Sequence, residues 1–131
     1  MRTPVVIVAG QNDTDDIAGV LLARAGTALV EHRFDGHVVH RRTTTVQRGV
    51  DVVTVAVLEL TNCCLSCTVR SDLLEHLRLL HRRPDVDRIA VRLGAWMEPE
   101  PVCFAIAHSP AARDVSLAAV ITAIDPETWL P

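Results

Sequence analysis

"ELTNCCLSCTVRSDLL", Glu59 to Leu74, sits where two kinds of periodicity meet. Before it, "DVVTVAVLEL" is an apolar run of strand length. After it, "SDLLEHLRLLHRR" carries Leu73, Leu74, Leu77 and Leu80 at helical spacing, and Pro84 closes the segment. The junction is therefore a strand, a loop holding Cys63, Cys64 and Cys67, and a helix. Three clustered thiols have three readings: a metal site, a redox pair or buried filler. In a reducing compartment, clustered cysteines favour metal or redox chemistry over structural disulfides.

The same alternation runs along the chain. "PVVIVAG" is a continuous apolar run closed by Gly10, as a buried parallel strand would be. "QNDTDD" is a polar loop in which Asp13 or Thr14 can cap the helix "DIAGVLLARAG", which ends at Gly26. "TALVEHRF", "DVVTVAVLEL", "DRIAVRL" and "DVSLAAVITAID" read as further strands, and "EPEPVCFAIAH" as a short helix. "DGHVVHRRTTT" opens with an Asp-Gly turn and has no clear period. Strand and helix alternating predict a single α/β domain over residues 1–131. Its sheet is expected to be mostly parallel, of about five strands, with the cysteine loop at the carboxyl end of a central strand.

Composition narrows the chemistry. Of 131 residues, 49% are apolar, with no Tyr and only two Phe and two Trp, so the core is aliphatic. All 13 basic side chains are Arg, which excludes any step that requires lysine. A net charge of −3 gives no global field toward nucleic acid. Between Glu31 and Arg92, however, lie ten Arg and five His against eight acids. Arg41, Arg42, Arg82, Arg83 and Arg88 are the candidates for phosphate contact with RNA, or for an acidic partner. Scarce aromatics argue against base stacking. No apolar run reaches the ~18 residues of a membrane span, and no signal peptide is evident. The expectation is a cytoplasmic protein with a protein partner, no membrane contact, and a dimer among its expected states.

Three ordered segments resemble the CobW-type members of the CobW/HypB/UreG class of P-loop GTPases. The cysteine segment resembles that family's Glu-Leu-x-Asn-Gly-Cys-x-Cys-Cys-Thr-[Leu/Val]-Arg-x-Asp-Leu. Glu59, Leu60, Asn62, Cys64, Cys67, Thr68, Val69, Arg70 and Asp72 fall in register. "VRLGAWMEPEPV" resembles a second family segment and keeps Pro99 and Pro101, with Glu98 for an Asp. The resemblance implies the first half of a three-layer P-loop NTPase-like domain. The guanine-reading motif would lie beyond Pro131.

The departures carry as much meaning. The loop "GQNDTDDIA" keeps Gly10, but Asp15 stands for the second family Gly, Asp16 for the Lys and Ile17 for the Ser/Thr. A working P-loop needs that Lys on the β/γ-phosphates and that hydroxyl on Mg²⁺. Like charges at ~4 Å cost roughly 1 kcal/mol each even at water's dielectric. Arg92 stands for the family Glu and Ala95 for its Gly. These changes predict a pseudo-GTPase with no GTP binding and no catalytic residue. An acidic first helical turn also has a plain reading, since acids are favoured there without any ligand.

By resemblance the family's Cys-x-Cys-Cys carries zinc or a similar ion. Here it reads Cys64, Ser66, Cys67, with Cys63 added upstream. Cys64 and Cys67 form a C-x₂-C pair able to reach one ion. Two ligands do not complete a tetrahedron. The others would come from Cys63, from His32, His37 or His76, or from a partner. A thiol switch remains open, because C-x-x-C ahead of a helix lowers a thiol pKa. Cys103, in the short apolar helix, reads as core. The functional expectation is a degenerate CobW-like protein of zinc homeostasis. One alternative is a ribosome-associated hibernation or accessory factor, since the sequence resembles products of actinobacterial zinc-starvation responses. The other is a CobW-type GTPase metallochaperone with an unusual P-loop.

Overall fold

The structure, a computed structural model, describes residues 2–10, 14–60 and 64–123. Its elements in order are β1 (Thr3–Gly10), α1 (Thr14–Leu22), β2 (Thr27–Phe34), β3 (Val38–Gln47), β4 (Val50–Glu59), α2 (Leu65–His81), β5 (Arg88–Arg92), α3 (Pro99–His108) and β6 (Val115–Ala123). The six strands form one sheet in the order β4-β3-β2-β5-β1-β6.

β1 pairs in parallel with β5 and β6, and β2 in parallel with β5. β3 is antiparallel to both β2 and β4. Two antiparallel steps restore direction, so β4 runs with β1, β2, β5 and β6, and β3 alone is reversed. The α/β class with a mostly parallel sheet is thus as expected, with six strands rather than five. The extra strand is "VVHRRTTTVQ", the segment without a clear period.

Turn chemistry explains the added hairpins. Asp35 Oδ1 accepts from the backbone N–H groups of His37 and Val38, both at 3.0 Å, and folds β2 back into β3. Arg48 and Gly49 both have positive φ, 54° and 78°, as a two-residue hairpin turn between β3 and β4 requires. This meander carries β4 to the outer edge of the sheet. The expectation of a central strand before the cysteines is corrected: that strand is an edge strand, though its carboxyl end does lie on the same side as those of β1 and β5.

Residues two apart share a face. Val5, Ile7 and Ala9 of β1 face the same side as Val30 of β2 and Val91 of β5, in one core with α2 and α3. α2 supplies Val69, Leu73, Leu77 and Leu80, a single helical stripe with each side chain at most 1% exposed. Fully burying a side chain of this size stabilises by ~1.5–3 kcal/mol. α3 adds Val102 and Ile106, with Pro99 at its first turn. The opposite face has a smaller cluster of Ala18, Leu29 and Ala90 beneath α1. Three layers result, and the carboxyl ends of β1, β4 and β5 lie on one edge of the sheet.

Candidate metal and nucleotide site

α2 begins at the carboxyl edge with Cys64 as its N-cap in extended conformation. The Cys67 N–H donates to Cys64 Sγ over 3.1 Å, so sulfur does here what a Ser or Asp oxygen does at most helix starts. Thr68 Oγ1 donates to the Cys64 carbonyl at 3.1 Å. Arg70 brings Nη2 to 3.9 Å from Cys67 Sγ, one helical turn on. Cys64 is exposed and Cys67 half-buried. The C-x₂-C pair therefore presents both sulfurs at one helix end, in a field of backbone N–H groups and one guanidinium. Cys63 lies outside the described residues.

Two of the three histidines weighed as further ligands are engaged in other work. His32 is buried and its Nε2 bonds Asp72 Oδ2 at 2.8 Å. His76 Nε2 shares a hydrogen bond of 2.8 Å with Thr43 Oγ1 under α2. His37 sits in the exposed turn after β2. Among the described residues no group of three or more His, Cys, Asp and Glu side chains is arranged to hold a metal. The described part thus brings two thiols, Cys64 and Cys67, to one helix end. Cys103 is half-buried against the main core, and burial pushes its thiol up, as expected of a packing residue.

Beside α1 is a second arrangement. Gly10 ends β1, Asp15 and Asp16 stand exposed in the first turn of α1, and Ile17 follows them. Gly10 has φ +130°, and a Cβ there would lie 2.5 Å from the Ala123 carbonyl oxygen. Glycine at this position is explained by contact with β6, without a phosphate. Asp13 is outside the described residues.

Arg92, at the end of β5, reaches the start of α1. Its Nε donates to Thr14 Oγ1 at 3.0 Å, and Nη1 donates to Glu31 Oε2 at 3.0 Å and to the Asp15 carboxylate. Arg42 takes the other Glu31 oxygen through Nη2 at 3.0 Å. Glu31 was not singled out from the sequence; its signal exists only in the register that sets Glu31 beside Arg92. A cleft of about 630 Å³ opens here, with Gly10, Thr14, Glu31 and Arg92 in its wall.

The five arginines proposed for RNA or partner contact do not gather. Arg41 and Arg42 are consecutive on β3 and point to opposite faces, Arg41 to Asp72 at 2.6 Å and Arg42 to Glu31. Arg83 pairs with Asp85 at 2.6 Å, and Arg88 donates to the Ala25 carbonyl. Arg82 is exposed at the end of α2. Arg82, Arg83 and Arg88 lie at the amino edge, away from the cysteines.

The geometry, an N-capping cysteine of a C-x₂-C pair on the carboxyl edge of an α/β sheet, can be set against known proteins. The sequence profile described as CobW/HypB/UreG, nucleotide-binding domain, matches residues 23–130. The chain belongs to the CobW/HypB/UreG family. A Mycobacterium tuberculosis H37Rv protein named zinc chaperone Rv0106 is 53% identical over 142 aligned positions. An uncharacterised Mycobacterium bovis protein, Mb0109, matches equally well. Each alignment covers 100% of this chain and 36% of the relative, so the chain spans about a third of the length of these curated relatives. No solved structure matches. The CobW-family match begins at Ala23, past the loop of Asp15 and Asp16. Among the described residues no helix is long and apolar enough to cross a membrane.

Proposed function

We propose that this CobW-family chain serves zinc homeostasis by holding zinc at its cysteine loop, and that it does not hydrolyse GTP. The observation that carries this reading is the Cys67 N–H donating to Cys64 Sγ at the start of a 17-residue helix. The thiolate is the metal-binding form, and an aimed N–H at a helix N-terminus favours negative charge on sulfur. A relative named for zinc chaperoning supports zinc as the cargo. Cys63 is the favoured third thiolate, next to the pair in sequence.

The second half of the reading rests on Arg92. The cleft that a CobW-family nucleotide would enter is walled by the carboxylates of Glu31 and Asp35 and by the Arg92 guanidinium, which is already paired with Glu31 and Asp15. A polyphosphate there would meet acids and a cation already committed to other carboxylates. The alternative of docking on a ribosome through arginines has weaker support, since Arg41, Arg42 and Arg83 are ion-paired within the fold.

Equilibrium dialysis of the reduced chain tests the proposal. The expected result is one zinc per chain, retained against a weak chelator. Absence of retained zinc in protein whose thiols are reduced would overturn it.

A further inference from the structure

Among the described residues, strand β4, "VDVVTVAVLE", forms one edge of the sheet and pairs only with β3. Five of its ten residues are Val, and Val50, Val52, Val53, Val55 and Val57 are each 40–63% exposed. Sheet edges are usually guarded by Lys, Pro, a bulge or a charge in mid-strand, because unpaired N–H and C=O groups recruit another strand. β4 has none of these. It matches β3 over ten consecutive residues without a register shift, and its two charges, Asp51 and Glu59, lie near its ends. The pairing of β6 with β1, by contrast, shifts register between Val5 and Val6, a bulge.

We propose that β4 is a self-pairing edge, through which two copies of this chain join antiparallel into one continuous sheet with Thr54 on the two-fold axis. The choice of a second copy follows from the sequence of the strand itself. In an antiparallel pair, opposed residues share a face, so only registers that keep odd with odd and even with even are allowed. Centring on Thr54 opposes Val53 with Val55, Asp51 with Val57, Val52 with Ala56, and Val50 with Leu58. No like charges meet, and the two Thr54 hydroxyls face each other. Centring on Val55 instead sets Asp51 directly against Glu59, twice, which like-charge repulsion disfavours. The favoured register merges Val53, Val55 and Val57 of both copies into one stripe on the α1 side. It also places the two Glu59 residues ten positions apart, about 34 Å. The starts of the two α2 helices then lie at opposite ends of the paired strands. The inference does not depend on the zinc reading.

Light scattering on the chain in solution, from micromolar to submillimolar concentration, is the first test. The expected mass rises toward twice 14.3 kDa. Val53→Glu should weaken the dimer by about tenfold, and Val53→Glu/Val55→Arg should recover it, because each new Glu faces a new Arg of the other copy. In the neighbouring register the same double variant opposes Arg with Arg and recovers nothing. Hydrogen exchange on the unmodified chain gives an independent reading: β4 amides should become more protected as concentration rises. A mass of 14.3 kDa throughout, β4 exchange independent of concentration, or a folded double variant that stays monomeric would overturn the proposal.

Discussion

Arg92 and Glu31 stand side by side on neighbouring parallel strands, with Nη1 3.0 Å from Oε2. They are 61 residues apart in sequence. Glu31 is only 14% exposed at its side chain and takes a second guanidinium from Arg42. The pair leaves little capacity on Arg92 itself for an incoming anion, and this sets the first expectation. Calorimetry with GTP and Mg²⁺ should find no binding, or binding weaker than ~100 μM. The lost lysine was a charge-assisted contact worth ~1.5–3 kcal/mol, and Asp16 adds repulsion. Micromolar binding at the loop from Gly10 to Ile17 would refute the pseudo-GTPase reading.

Asp72 connects α2 to the sheet. Arg41 Nη1 donates to one oxygen at 2.6 Å and His32 Nε2 to the other at 2.8 Å. Burial opposes its charged form, but these partners outweigh burial and hold its carboxyl below the ordinary value. Asp72→Asn keeps the shape and removes the charge, leaving Arg41 without its counterion. The expected loss is about 2–3 kcal/mol in urea unfolding. Arg83→Ala breaks an exposed pair with Asp85 and should cost less than ~1 kcal/mol. Equal losses from the two variants would show that Asp72 does not anchor the helix.

The reach of the sequence can be judged element by element. β1, α2 and β5 were legible because their burial is simple: continuous apolar strands, and a leucine stripe at helical spacing. β3 was not, because its inward positions include Arg41, Thr43 and Thr45. Asp72 and His76 on α2 satisfy Arg41 and Thr43, and a polar residue matched by a distant partner erases the alternation that marks a strand. The Arg48-Gly49 turn and the Thr-rich run were the available signals. β4 misled in the opposite sense, since a valine-rich run reads as central whether or not anything covers it. The C-x₂-C pair was legible from spacing. Its N-cap role, and the clamp of Arg92 on Glu31, required the register of the sheet.

His76 gives the fold an acid sensitivity. Burial, and then the Arg41 charge, lower it from 6.5 to about 4, while the Asp72 charge opposes them; His32 and Arg83 also face it. Its Nδ1 is buried and has no hydrogen-bond partner among the described residues. The unfolded chain takes up the proton first, so the neutral ring contributes stability that is fully present above pH 6.5. That contribution is lost as pH falls from 6.5 toward 4. The ring is partly exposed, so solvent screening reduces the effect to about 1 kcal/mol. Thermal unfolding should show Tm declining through this window, and His76→Gln should flatten the decline. A wild-type Tm constant from pH 6.5 to 4.5 would contradict the assignment.

Zinc affinity should follow the geometry of the first turn of α2. Cys64 and Cys67 form the only C-x₂-C pair in the chain, so Cys67→Ser should remove most of the binding in a competition titration with a chromophoric chelator. Affinity should fall steeply below about pH 7, because thiolates bind and thiols do not. Cys103→Ser should leave affinity unchanged, since that thiol packs against the core. Ser66 sits one position before Cys67, within the first turn, where a new thiol would stand near the same helix end. Ser66→Cys restores the Cys-x-Cys-Cys pattern that this segment resembles, and should therefore bind zinc more tightly than the natural sequence. If Ser66→Cys and the natural chain bind equally poorly, the helix start no longer presents these positions to an ion. The Cys64–Cys67 contact would then be a helix cap and nothing more. Cys64→Ser separates the two roles: a hydroxyl can still cap α2, so stability should be kept while zinc affinity is lost.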